Sequence, residues 1–143
     1  MVNVRTRKEK RCRGAAAMEA ALVMPIILMV TFGAIKYGWL FLKAQQITNA
    51  ARYGARVAVR ADAGENEVIT TIDNLMTAAG MGDSGYTVTF NLPDGVDWDD
   101  LQMGHAITVN VTVPSANIDI MNVPLFPDVG DIGASVTMAK EGI

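Results

Sequence analysis

Residues 20–35 carry no charged side chain. Lys36 interrupts the apolar run, and Tyr37-Gly-Trp-Leu-Phe-Leu42 resumes it. Residues 15–42 therefore exceed the roughly 20 apolar residues that a helix needs to cross a bilayer. Tyr37, Trp39 and Lys43 at the distal end read as an interfacial belt, with lysine ammonium groups snorkelling to headgroups. Pro25 lies inside the run, where it removes one backbone hydrogen bond and is expected to bend the helix. The helical period continues past the apolar run. Ile47, Ala50, Ala51, Gly54 and Ala58 keep a spacing of three to four, and Arg52, Arg56 and Arg60 recur on the opposite face. A continuous helix over residues 15–61 would be roughly 70 Å long. A rod of that length calls for a membrane, partner helices, or both.

Asp62-Ala-Gly-Glu65 reads as a break followed by a capping-box start. Val68, Ile69, Ile72, Leu75, Met76 and Ala79 mark one face of a second helix, ended by Gly80 and Gly82. Three alternating runs follow, at residues 86–92, 107–113 and 134–139. Each sets Val, Ile, Phe or Met against Thr, Asn or Ser, the pattern of half-buried antiparallel strands. Two proline-bearing loops, 93–104 and 114–131, separate them. The expected fold class is α+β: a long N-terminal helix, a second helix and an antiparallel sheet of about three strands. Its parts are a basic leader at 1–14, a transmembrane and stalk helix at 15–61, and a globular domain at 62–143.

Charge sharpens this division. Residues 1–14 hold six basic side chains against one acidic, a net +5, while the rest holds six against fourteen, a net −8. A basic head directly before an apolar run is the signature of a cytoplasmic flank. A nucleic-acid arm would need a basic or aromatic surface to follow, and none does. The only cysteine, Cys12, lies in the head. The remainder is therefore held by packing alone, without an intrachain disulfide or a cysteine metal site.

One constellation carries chemistry. Gly14 closes the basic head, and Glu19 stands alone in an apolar segment. A lone carboxylate near the end of a membrane helix costs a few kcal/mol unless it is hydrated or paired. One reading is an interfacial glutamate that stays wet. The other is a prepilin site: cleavage between Gly14 and Ala15 gives Ala15 an α-ammonium, and Glu19 pairs with that ammonium of a neighbouring subunit. Such a pair sets axial register, because an unpaired charge in a helix bundle is heavily penalised.

Gly14-Ala-Ala-Ala-Met-Glu19, then Ala20-Ala-Leu-Val-Met-Pro25, then Gln45-Gln-Ile-Thr-Asn-Ala-Ala-Arg-Tyr-Gly-Ala-Arg56 resembles the TadE-like family. Its members are pilins and pseudopilins of tight-adherence, or Flp-type, pili, so the resemblance implies a type IV pilin-like fold. The likeness covers about residues 13–59, a third of the chain, and the ending Met138-Ala-Lys-Glu141 is also similar. It implies a partner prepilin peptidase that removes residues 1–14 on the cytoplasmic side. It implies a single-pass subunit held in the bacterial cytoplasmic membrane among lipid, with a cytoplasmic N-terminus and its domain outside. It further implies an assembly platform with a cytosolic ATPase, which adds the subunit to a homo-oligomeric or mixed-pilin extracellular fibre.

The other candidates are weaker. His105 is the only histidine, and with no cysteine near it a transition-metal site is not expected. Asp94-Gly-Val-Asp-Trp-Asp-Asp100 is oxygen-rich but lacks EF-hand spacing, so it reads as a solvated loop in which Trp98 caps the core. Arg52, Arg56 and Arg60 are candidate contacts to neighbouring subunits or to anionic headgroups, or a solvated face. No nucleophile elbow or paired catalytic spacing occurs. An enzyme is the least supported class, and no cofactor is expected. Two alternatives to a pilin stand. One is a single-pass membrane protein with an extracytoplasmic binding domain and no pilus role. The other is an exported soluble protein, disfavoured because no signal-peptide cleavage site follows the apolar run.

Overall fold

The computed structural model describes residues 5–121, 126–127 and 129–142, with residues 5–13 described by their backbone alone. Residues 1–4 of the expected leader and 122–125 of the second loop lie outside the described residues.

Helix α1 covers Arg5–Ala58. It begins at Arg5 rather than at Ala15. Arg, Lys and Glu are good helix formers, and one glycine costs only about 1 kcal/mol, so the basic head winds into the same helix. The helix ends at Ala58 rather than Ala61. The Arg60 N–H reaches back only three residues, to Val57 O at 3.1 Å, the tightening common in a last turn. The chain divides into two compact units, Met1–Tyr37 and Gly38–Ile143.

Among its described residues the first unit is helix alone. Its large apolar side chains, among them Leu22, Ile26, Ile27, Val30 and Phe32, are exposed. Thr31 satisfies its hydroxyl internally, donating to Ile27 O at 2.8 Å, which suits a segment with no water at hand. The helix passes Pro25 unbroken.

The second unit holds the rest of α1, helix α2 (Glu65–Ala78) and one sheet. The capping box is not formed. The N-cap of α2 is Gly64, in extended conformation and without a side-chain cap. Asp62 stands two residues before that cap, and its carboxylate lies 3.6 Å from Arg60 Nε. The C-terminus is fully closed. Gly80 takes φ 67°, its N–H donates to Thr77 O at 2.9 Å, and Met81 N–H donates to Met76 O at 2.8 Å. With Met76 and Met81 both buried, this is a complete Schellman motif with its apolar contact.

Strands β1 (Thr87–Asn91), β2 (Ala106–Pro114) and β3 (Asp131–Ala139) form an antiparallel sheet in the order β1-β2-β3. The third strand starts at Asp131, ahead of the alternating run that began at Ala134. Val109 stands opposite Phe90 and Val136, and Val111 opposite Val88 and Ala134. One sheet face is therefore apolar, as period-two side chains require. The other presents Thr, Asn and Ser, with Thr108 and Thr137 hydroxyls 2.7 Å apart. Ile107, Val109, Val111 and Val113 bury fully, sharing one core with Ile47, Ala50, Ala51, Ala55 and Ala58 of α1 and Val68, Ile72 and Met76 of α2. The small residues of α1 permit this closeness: a Cβ at Gly54 would fall 2.6 Å from Ile72 Cδ1.

Candidate functional site

Gly14, Ala15 and Glu19 all lie on α1, exposed. Nothing stands within 4 Å of where a Gly14 side chain would begin. Gly14 has helical backbone and no close neighbour, so the fold gains nothing from its being glycine. Elsewhere in α1 packing requires the glycine, as at Gly54. Among the described residues Glu19 makes no ion pair or hydrogen bond, and its surroundings along the helix are apolar. Pro25 leaves Ala21 O without its usual helical donor. From Gly14 onward the helix is long and apolar enough to cross a membrane, and none of its most apolar 18-residue window is buried.

A continuous exposed apolar helix with one glycine at its head, one carboxylate five residues on and arginines at its far end is a combination rather than a single motif. Residues 14–56 match the family model of TadE-like proteins. Over that stretch the chain is similar to TadE-like proteins. No curated protein and no solved structure matches the chain. The resemblance seen in the Gly14-to-Arg56 motifs is thus the family that the comparison finds.

Toward and beyond the distal end of α1 the three arginines are not equivalent. Arg52 and Arg56 are exposed on α1, and the Arg56 guanidinium sits 5.7 Å from the Tyr53 ring centroid. Arg60 lies beyond the helix and is engaged within the chain, 2.6 Å from Glu67 Oε1. Of the row expected to face neighbours or headgroups, two members are available and the third holds the start of α2.

The interfacial belt needs correction. Trp39 and Lys43 belong to the globular unit. The Trp39 indole donates to Ile118 O at 2.8 Å. Lys43 is buried, donates to Ala79 O at 2.6 Å, and lies 4.9 Å over the Trp39 ring. Its ammonium closes the C-terminus of α2, where the helix dipole and an orphan carbonyl both favour a cation. Lys140, which the sequence reading did not single out, does the same for α1. Its Nζ lies 2.6 Å from Arg60 O and 3.5 Å from Ala58 O, with 8% of the residue exposed. The available signal was compositional: Lys140 is the only basic residue in 62–143, against thirteen acidic ones.

His105 is half-buried and structural. Its Nδ1 accepts from Gln102 N–H at 3.1 Å, and its carbonyl accepts from Lys140 N–H at 2.8 Å. Trp98 opens a short 3-10 helix, Trp98–Asp100. Its ring packs 5.1 Å from Phe90 against the edge of the core, as expected of a cap. With Glu65, Asp97 and Asp99 these two rings line an open hollow of about 590 Å³. A second hollow, of about 490 Å³, is lined by Asp73, Thr77, Asp83 and Asn117, and there the Tyr86 hydroxyl donates to the Asp73 carboxylate.

Proposed function

We propose that the chain is a structural pilin or minor pilin of a Tad-type pilus, cleaved between Gly14 and Ala15 by a prepilin peptidase and polymerised through its N-terminal helix. The observation that carries this reading is the exposed apolar helix of the TadE-like stretch, headed by a glycine that no contact requires and bearing a lone carboxylate, unpaired among the described residues. A small residue lets a peptidase approach the backbone. In the membrane Glu19 stays hydrated near the cytoplasmic face. In a fibre the new α-ammonium of a neighbouring Ala15 is its partner. Such a pair adds little net stability, since desolvation offsets attraction; its effect is to select one axial offset. Before assembly the subunit is a single-pass membrane protein with its domain exported.

The test is mass spectrometry of the membrane-extracted chain together with its Gly14→Leu variant. An N-terminus at Ala15 in the wild type and uncut precursor in the variant are expected. An intact wild-type N-terminus would favour the alternative, a single-pass membrane protein with an extracytoplasmic domain and no pilus role. Glu19→Ala tests register separately: it should insert and be cut, yet give a low yield of sheared fibre at matched levels of processed subunit. Wild-type yield would return Glu19 to a plain interfacial role.

A further inference from the structure

The charges of the chain are segregated more sharply than its net value shows. Residues 15–61 carry five basic side chains against Glu19, a net +4, while 62–143 carry thirteen acidic against Lys140 alone, a net −12. The only cation of 62–143 is buried on the carbonyls at the end of α1. All the exposed charge of that segment among the described residues is therefore negative. On the α1 side, Lys43 is buried and Arg60 is held by Glu67. That leaves Arg52 and Arg56, either side of the half-exposed Tyr53, as the exposed cations of the globular unit without a carboxylate partner.

The hollow beside Trp98 has the opposite character. Glu65, Asp97 and Asp99 are exposed, and none of the three carboxylates is paired among the described residues. Three like charges around one hollow raise its affinity for a cation. Among the described residues no three acidic groups are arranged to hold a metal ion. The site therefore suits a broad, planar cation rather than a compact one. Its wall is the Phe90–Trp98 pair, and a guanidinium is the cation that both stacks on an aromatic ring and bonds carboxylates through a rigid fork.

We propose that the Arg52–Arg56 face of one copy docks into the Glu65–Trp98 hollow of a neighbouring copy. This rests on the pilin reading in so far as copies are neighbours, and it names the lateral contact between their exported parts. The contact is heterologous, one surface meeting a different one, so it propagates along a row instead of closing a pair. It complements a Glu19 contact at the other end of the helix. Docking also offsets part of the mutual repulsion of acidic domains brought side by side.

The experiment uses the full chain in membranes with Cys12→Ser. Tyr53→Cys, which keeps both arginines, is labelled with a short photoreactive maleimide. Illumination should give a dimer in which the label is joined to residues 88–99 of a second copy. Asp97→Arg with Asp99→Arg should lower that product by about tenfold or more, as loss of interfacial charge pairs does. Adding Arg52→Asp and Arg56→Asp to the same chain should restore it. Adducts to lipid would assign the arginines to headgroups and overturn the proposal, as would dimers joined elsewhere or reversal without restoration. The pilin reading is judged separately, by the Ala15 N-terminus and by sheared fibre. The docking can thus fail while that reading stands, and the reverse.

Discussion

The two units differ in how their shares of one helix are solvated. In Met1–Tyr37 the large apolar side chains point outward, with Leu22 74% and Ile26 62% exposed. In Gly38–Ile143 the buried stripe holds Leu40 and Ile47 but is dominated by Ala50, Ala51, Gly54, Ala55 and Ala58. Backbone conformation is the same, so the difference lies in side-chain size and in what covers it. Bulky aliphatics suit a fluid apolar solvent that adapts to them. Small residues suit a fixed surface, because they let a second helix and a sheet approach closely. Size along one helix thus marks where lipid is expected to give way to protein.

Exchanging these characters should have the largest effect in the proximal half. Ile27→Arg with Leu28→Arg places two charges mid-span, each costing about 3 kcal/mol at the centre of a membrane helix. The doubly substituted chain should lose its resistance to alkaline carbonate extraction. Asn49→Arg, on the exposed side of the distal half, should extract like the wild type. Equal retention of the double variant would mean that this helix is not the anchor.

A smaller effect is expected where bulk enters the distal half. In Gly54→Leu the new side chain collides with Ile72, which is itself fully buried and cannot swing into solvent. Overpacking of this kind costs about 1–3 kcal/mol, read as a lower Tm of the detergent-solubilised chain. Gly14→Leu, with open space around it, should leave Tm unchanged while blocking maturation. A Tm loss at Gly14 as large as at Gly54 would contradict the distinction drawn between a packing glycine and a processing glycine.

The smallest expected effects separate the two kinds of cation. Lys140→Met strands the carbonyls of Ala58 and Arg60 in a buried setting, a loss of about 1–3 kcal/mol. Arg60→Ala removes a half-exposed ion pair, worth less than about 1 kcal/mol. Denaturant titration of both variants should rank them in that order.

The alternation of Ile107, Val109, Val111 and Val113 with polar residues was enough to place the central strand, because burial of one sheet face is a local, period-two property. The apolar face of α2 and its end at Gly80 were legible for the same reason. Trp39 and Lys43 misled. An aromatic and a lysine at the end of an apolar run look the same whether the ammonium finds a headgroup or Ala79 O, and that carbonyl lies 36 positions away. Lys140 stayed hidden for a like cause, since its partners are 80 and 82 positions distant. Asp62 matched a capping spacing, but the helix took Gly64 as its cap. Of the site, Gly14, Glu19 and the arginine row were visible as types and spacings. That Arg60 is already engaged and Trp98 borders an acidic hollow required the folded chain.

The end of β3 is bonded to the end of α1: Glu141 N–H donates to Val59 O at 2.8 Å, beside the Lys140 ammonium on Arg60 O. A pull along α1 therefore reaches the domain at two points. One is the covalent chain at Arg60, and the other is the last strand, joined in parallel to the same turn. Tension entering there is shared with β3 and passes across its ladder into the central strand, so the segment 62–130 does not carry it alone.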